Sequence, residues 1–245
     1  MKPNVLIYSI FRNSGAIVDT YHQQLKNFVS KLSNDFNFFL SIYENDSRDN
    51  TKDKLNNLDL SFIEHKIVTE NINTPTFASI PDEQRVKNIA AARNKAILGS
   101  GFLEQVDWVM MLESDLRYEF ECVEQVLKFQ EKYKLENVDI VSAILWEKRN
   151  RHYDTWGTRR NDTEEWGGLF EDWPNHAYQK YYATCNGIAL FKADAIRNGA
   201  VYHWYSERFN KFDCDTVNIC EKFHKLGYHD IFINNKAQCY HLKNK

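Results

Sequence analysis

The stretch DWVMMLESD, residues 107–115, joins an apolar strand to a pair of acidic side chains. Residues 108–112 have the composition of a strand buried on both faces, as strands of a parallel sheet are. Glu113 and Asp115 follow two positions apart, so that both side chains project alike in an extended chain. Neighbouring carboxylates repel each other unless a cation or a shared proton relieves them, and Mg²⁺ or Mn²⁺ binds such oxygens together with phosphate. The alternative is a solvated turn with ordinary acids.

Strand-like and helix-like segments alternate around this stretch, which predicts an α/β fold with a central, mostly parallel sheet flanked by helices. The predicted strands are 4–10, 36–43, 62–68, 107–112, 138–145, 184–191 and 230–234. The predicted helices are 17–32, 47–58, 82–99, 120–133 and 215–226. We find no repeat or linker, so residues 1–245 are expected to form one domain.

The composition excludes several classes of protein. With 245 residues, 27% of them charged, and a net charge of −3, the chain shows no basic patch for nucleic acid. No run approaches the ~20 apolar residues that a membrane helix needs, and the N-terminus shows no signal peptide. We therefore expect a cytoplasmic protein, in the host cytoplasm if the source is viral. Five cysteines without a CxxC pair disfavour a disulfide scaffold or a zinc finger.

Polar residues also follow the first two predicted strands, where ligands bind in an open α/β sheet. The polar residues at these strand ends are Ser9, Arg12, Glu44 and Asn45, with Ser114 between the two acids of the third group. Glu44 is positioned to accept hydrogen bonds from a nucleobase or ribose. A polar turn, with Ser47 or Asp49 as the helix N-cap, is the alternative.

Arg93 and Asn94 interrupt an otherwise small and apolar helix face. A buried arginine needs anionic partners. The anionic partner of Arg93 could be a diphosphate, or it could be the pair formed by Glu113 and Asp115. The alternative is a structural salt bridge.

The sequence resembles the GT-A nucleotide-sugar glycosyltransferases, and within them the cryptococcal mannosyltransferase family of fungal capsule-associated enzymes. The most specific block is IYENDSRDNT, residues 42–51. The others are RNKA (93–96), LESD (112–115), CNGIA (185–189), FDC (212–214) and FIN (232–234). The chain departs from the family where Glu113 begins the metal triplet, where no Trp precedes Asn186, and where Asp213 replaces a glutamate.

The resemblance implies a metal-dependent glycosyltransferase that moves a sugar, mannose in this family, from a UDP- or GDP-sugar to a glycan or other hydroxyl acceptor. It implies Mn²⁺ or Mg²⁺ on Asp115 and Glu113, with His241 as a third ligand; a surface position in the tail is the alternative for His241. It further implies that Arg93 and Arg12 hold the diphosphate, with Ser9 and Glu44 against the nucleoside.

The resemblance implies that the two halves of the chain bind different substrates. Residues from about 1 to 145 would bind the nucleotide sugar, and residues from about 146 to 245 would bind the acceptor. Asp213 and Asp215 are expected near the acceptor hydroxyl. Either could be a general base in an inverting enzyme or could position the substrate in a retaining one. The family resemblance implies that the anomeric configuration is retained. The alternative for both is a helix N-cap.

Residues 146–182 are rich in aromatic side chains but lack a periodic pattern. A long irregular segment of this kind inside a compact domain is usually a functional loop. Aromatic rings offer flat surfaces to sugars. The candidates for acceptor contact are Tyr153, Asp154, Trp156, Arg159, Glu164, Trp166, Asp172 and Trp173. A core or lid role is the alternative for each tryptophan.

Two other functions fit the pattern less well. A sugar nucleotidylyltransferase would carry a Gly- and Arg-rich loop after the first strand, and residues 10–15 offer one of each. A non-catalytic carbohydrate- or nucleotide-sugar-binding domain would not need the pair formed by Glu113 and Asp115.

Overall fold

The computed structural model describes residues 1–78, 80–147 and 151–242. Its strands are β1 (Asn4–Phe11), β2 (Asn37–Asn45), β3 (Glu64–Glu70), β4 (Trp108–Leu112), β5 (Leu116–Arg117), β6 (Ile140–Glu147), β7 (Arg151–His152), β8 (Tyr178–Lys180), β9 (Ile188–Lys192), β10 (Tyr205–Ser206), β11 (Lys211–Phe212) and β12 (Ile231–His241). Its α-helices are α1 (Val18–Leu32), α2 (Thr51–Asn56), α3 (Glu83–Leu98), α4 (Phe120–Leu127), α5 (Phe129–Tyr133), α6 (Ala193–Arg197) and α7 (Asp215–Lys225).

One sheet organises the molecule, in the order β3-β2-β1-β4-β9-β6-β12-β5. Strands β3, β2, β1 and β4 are parallel, and β12 is parallel to β6. Strand β9 runs antiparallel between β4 and β6. The prediction of a mostly parallel sheet flanked by helices is confirmed. Because β4, β6 and β12 point the same way, their carboxyl ends lie along the same edge.

Each face of the sheet is covered by helices whose apolar side chains point inward. Helix α1 buries Tyr21, Leu25, Phe28 and Leu32, whose spacing of three to four residues makes one stripe of the helix. On the opposite face, α3 and α7 pack against the sheet. Their buried side chains, among them Ala96 and Val217, belong to a second hydrophobic cluster. Full burial of a side chain such as Leu or Phe contributes about 1.5–3 kcal/mol to the stability of the fold.

Four predicted elements differ from the structure, the first being the helix expected over 47–58, which spans only Thr51–Asn56. The helix expected over 120–133 is broken at Lys128, whose backbone leaves the helical region and whose ammonium pairs with Asp35 and Glu124. The strand expected from 184 begins only at Ile188, because Gly187 takes a left-handed conformation with φ 58°. The strand expected over 230–234 continues to His241 after a register shift between Ile233 and Gln238.

Every helix within the described part of the chain is too short or too polar to cross a bilayer. All five cysteines are buried free thiols.

Candidate active site

The site lies where β4 and β12 end on the carboxyl edge of the sheet. The chain leaves β4 at Leu112, and Glu113 N donates a 3.0 Å hydrogen bond to Gly187 O. Strand β5 begins three residues after Glu113 and pairs with β12, with Leu116 opposite His241. This pairing brings Asp115 beside His241, although 126 positions separate them in the sequence.

Asp115 and His241 form the exposed pair of the site. His241 Nε2 lies 2.9 Å from Asp115 Oδ2, and the two side chains are 15% and 35% exposed. The imidazole stacks on Tyr153 with 4.3 Å between ring centroids. Burial alone would lower the pKa of His241, but the hydrogen bond and the charge of Asp115 raise it. Within the described residues, His241 Nδ1 is buried without a hydrogen-bond partner.

Arg93 is the centre of the buried part of the site. Its Nη2 lies 2.9 Å from Glu113 Oε1, and its Nε lies 2.8 Å from Asp215 Oδ2. The guanidinium carbon sits 5.3 Å from the ring centroid of Tyr202. The Arg93 side chain is only 7% exposed. Its anionic partners are therefore protein carboxylates, which is the salt-bridge alternative for this residue.

Glu113 carries an unusual protonation equilibrium. The pKa of Glu113 is raised to about 7, chiefly by burial and in addition by the charge of Asp115, while Arg93 opposes both effects. Burial and like charge thus both favour the protonated form of this carboxyl group. A positive charge added beside it would favour the ionised form.

The two carboxylates expected at the acceptor hydroxyl are both buried in ion pairs. Asp213 accepts hydrogen bonds of 2.8 and 3.1 Å from Arg159 Nη2, and Arg159 is fully buried. Asp215 is paired with Arg93 and is 5% exposed. The N-cap alternative fails for both, because Cys214 is the N-cap of α7 and no side chain caps the helix.

The residues expected on the donor side are held by contacts within the protein. Ser9 Oγ donates to Leu112 O at 2.6 Å and meets Tyr21 Oη at 2.7 Å. Asn94 pairs through its side-chain amide with both the N–H and the carbonyl of Tyr202. Glu44, which we expected to face the nucleoside, is fully buried and accepts from Ser47 N at 2.8 Å. Ser114 is partly exposed between the two acids.

Arg12 and Asn45 hold the loop that follows β3 against the ends of β1 and β2. The Arg12 guanidinium donates to the carbonyls of Thr74 at 2.6 Å and Pro75 at 2.9 Å. Asn45 Nδ2 donates to Thr74 Oγ1 at 2.9 Å. The sequence analysis missed the main anchor of this loop, Asp46, whose carboxylate accepts from three successive backbone N–H groups over 72–74.

The loop anchor gives a stability prediction. Burial alone would raise the pKa of Asp46, but hydrogen bonds from Thr74, Asn45 and Asn73 outweigh it and hold the pKa well below its usual range. We expect Asp46→Ala to lower the free energy of unfolding by about 1–3 kcal/mol at pH 7, measured by urea denaturation. Because a depressed carboxyl pKa stabilises the fold only while the group is ionised, the difference from the parent shrinks as the pH falls below about 4. Asp53→Ala on the exposed face of α2 is the matched control, and an equal loss there would contradict the assignment.

The aromatic segment divides between core and surface. Trp146 and Trp173 contact each other at 5.2 Å in a small buried cluster, which is the core alternative for these two. Trp156 and Trp166 stack at 5.9 Å, and Trp166 is 55% exposed. Positions 148–150 of this segment lie outside the described residues.

Within the described residues no group of three or more His, Cys, Asp or Glu side chains is arranged to hold a metal ion. Asp115 and His241 nevertheless fit a divalent cation: their donor atoms are adjacent, His241 Nδ1 is an orphaned buried atom, and the Glu113 carboxylate is destabilised by like charge. Mn²⁺ accepts such oxygen and imidazole ligands, and substrate phosphate can complete a shell that the protein leaves open.

The sequence matches the family model described as cryptococcal mannosyltransferase 1 over residues 4–220. The chain belongs to the cryptococcal mannosyltransferase family. A comparison with functionally curated protein sequences gives no match at the significance required.

Solved structures similar to this family member are nucleotide-sugar glycosyltransferases, and its fold is GT-A. Mannosyltransferase PcManGT from Pyrobaculum calidifontis, in complex with GDP-Man and Mn²⁺, superposes on 100% of this chain with a TM-score of 0.59 at 11% identity. GalNAc-T7 with UDP, GalNAc and Mn²⁺ covers 99% of it with a TM-score of 0.59 at 10% identity. Glucosyl-3-phosphoglycerate synthase from Mycobacterium tuberculosis, in complex with phosphoglyceric acid, covers 99% with a TM-score of 0.54 at 13% identity. The chain spans 58%, 44% and 73% of these three chains, respectively.

Proposed function

We propose that this protein is a metal-dependent glycosyltransferase that moves mannose from a nucleotide-diphosphate sugar, GDP-mannose first among candidates, to a carbohydrate hydroxyl. The observation that carries the proposal is the contact between Asp115 and His241 beside Glu113, at the strand edge where α/β folds bind nucleotides. Membership of the cryptococcal mannosyltransferase family supports the sugar. The structure of PcManGT with GDP-Man and Mn²⁺ supports both the donor class and the metal.

Asp115 and His241 would hold the cation, with Glu113 joining directly or through water. A bound divalent cation supplies Lewis-acid stabilisation of the departing diphosphate. Arg93 keeps Glu113 and Asp215 oriented and places a fixed positive charge beneath the site. The stacked ring of Tyr153 holds His241 in position and limits the access of water to it.

The remaining donor-side residues support the site as a framework. Arg12, Asn45 and Asp46 fix the loop over 71–76 across the ends of β1 and β2, where the nucleoside would lie. The proposed donor half, from about 1 to 145, also contains Ser9, Glu44, Asn94 and Ser114. The acceptor would be held by the half from about 146 to 245, and retention of the anomeric configuration is proposed from the family alone.

A panel of GDP- and UDP-sugars tests the function directly. We expect release of nucleoside diphosphate in the presence of Mn²⁺, with the highest rate from GDP-mannose, and a rate at least about tenfold lower after chelation. Donor binding is measured in parallel by calorimetry with and without Mn²⁺, so that a slow catalyst is distinguished from a non-catalytic binding domain.

Three outcomes decide the proposal. A protein that binds no nucleotide sugar under either condition is not a glycosyltransferase of this kind. Binding without turnover in the presence of a hydroxyl acceptor would leave the non-catalytic alternative. The anomeric configuration of the product, read by NMR, decides retention separately from the transfer itself.

A further inference from the structure

Among the described residues on the acceptor side of the site, Asp154 has a carboxylate that no cationic side chain contacts directly. Asp154 lies in the aromatic segment, between Tyr153 and Trp156. Within the described part of the chain, the carboxylate accepts one hydrogen bond, from Gly157 N to Oδ1 at 2.9 Å. Its neighbours Asp213 and Asp215, by contrast, are each bound to an arginine.

Asp154 lies close to the proposed metal pair, because the ring of the adjacent Tyr153 stacks on His241 with 4.3 Å between ring centroids. Burial raises the pKa of Asp154 to about 6, the Gly157 hydrogen bond opposes this, and the charges of Asp215 and Arg93 both reach it. The charge of Asp154 also acts on Glu113. A partly buried carboxylate whose surroundings disfavour its ionised form, with no cation in contact, is typical of a functional group.

The rings on either side of Asp154 are those a sugar would need. Tyr153 stacks on His241 of the proposed metal pair, and Trp156 stacks on the exposed Trp166. Aromatic faces hold the apolar C–H surface of a sugar, and a carboxylate between them can accept hydrogen bonds from its hydroxyl groups.

From these contacts we propose, building on the function proposed above, that Asp154 binds a hydroxyl of the acceptor and that the acceptor is a neutral carbohydrate. Asp213 and Asp215 then act as positioning residues, since each is held by its arginine. A phosphorylated or uronic acceptor would bring its negative charge against the carboxylate of Asp154, and like charges repel.

Gly157 provides a second test that leaves the carboxylate in place. A Cβ added there would lie 2.5 Å from Asp154 Oδ2 and 2.7 Å from its carboxyl carbon, so the side chain must move. Gly157→Ala therefore displaces the carboxylate without removing it, and its effect should not add to that of Asp154→Asn.

The experiment uses the full chain, GDP-mannose with Mn²⁺, and acceptor probes of two classes. The neutral probes are the methyl glycosides of mannose, glucose, galactose and xylose, and the anionic probes are mannose 6-phosphate, 3-phosphoglycerate and glucuronate. We expect transfer to a neutral probe and none to the anionic probes. For that neutral probe, Asp154→Asn should raise the acceptor KM by about 10- to 100-fold, the loss of one hydrogen bond to a charged group. The donor KM should stay within about threefold.

Folding and specificity controls make the result decisive. Asp154→Asn should melt at or above the temperature of the parent at pH 7.5, because it removes a partly buried charge that no cation contacts. Asp162→Asn, an exposed carboxylate in the same segment, should leave acceptor KM unchanged. A parent that turns over donor yet transfers only to anionic probes, or to none, overturns the proposal. So does an Asp154→Asn variant that melts lower or raises the two KM values equally. If the parent protein does not turn over the donor at all, the result contradicts the glycosyltransferase function proposed above and not the role of Asp154.

Discussion

Asp115→Ala should lower the Mn²⁺-dependent release of nucleoside diphosphate by about a thousandfold or more while the fold stays intact. Asp115 is the more exposed partner in the pair with His241, with 35% of its side chain exposed against 15%, so its truncation removes little buried surface. Lewis-acid stabilisation of a leaving diphosphate is worth several kcal/mol, and each 1.4 kcal/mol corresponds to about tenfold in rate.

The measurement is turnover of GDP-mannose against Mn²⁺ concentration, together with Mn²⁺ binding followed by electron paramagnetic resonance. Asp115→Asn separates charge from shape, because the amide can still contact His241 but binds a cation poorly. Glu121→Gln, an exposed acid on α4, is the matched control. Full turnover in Asp115→Ala would mean that the metal site has been assigned to the wrong residues.

Arg93→Met should lower the free energy of unfolding by about 3–5 kcal/mol at pH 7, the cost of breaking a buried ion pair by removing one partner. The substitution leaves Asp215 buried, and Glu113 partly buried, without the guanidinium that lies between them. Because Arg93 opposes the effect of burial on Glu113, its removal would raise the pKa of Glu113 further. The loss should therefore be smaller at pH 5 than at pH 7, because protonation of Glu113 relieves the unpaired negative charge.

Urea denaturation at the two pH values measures this effect. Arg93→Lys keeps the charge but cannot reach Glu113 and Asp215 with the same planar fork, so an intermediate stability is expected. Equal stability of Arg93→Met and the parent at both pH values would show that the three groups do not depend on one another.

The acidic edge of the sheet could be predicted from sequence because it depends on local pattern. The apolar run over 108–112 ends at Glu113, and the direction of parallel strands determines where that end lies. The position of His241 followed only from family resemblance, although a local signal exists. From Lys236 to Tyr240 the buried and exposed residues of β12 alternate, which is the period of a strand.

The ion pairs of Asp213 and Asp215 could not be predicted in the same way. Arg159 reaches Asp213 from an irregular segment, where no periodicity indicates which side chain turns inward. Asp46 is an intermediate case: it has a φ of 58°, a conformation that aspartate tolerates better than most residues, but its three backbone donors come from a loop 26 to 28 positions away.

The position of Arg93 also constrains how such a chain can change over time. Its helix belongs to the first half of the chain and Asp215 to the second, so that one guanidinium joins the two halves at the site. Exchange of the second half with that of another family member would preserve the site only if an acidic residue arrived at the position of Asp215. Recombination between relatives should therefore be tolerated at the periphery of the sheet and should fail at this junction unless both residues are inherited together.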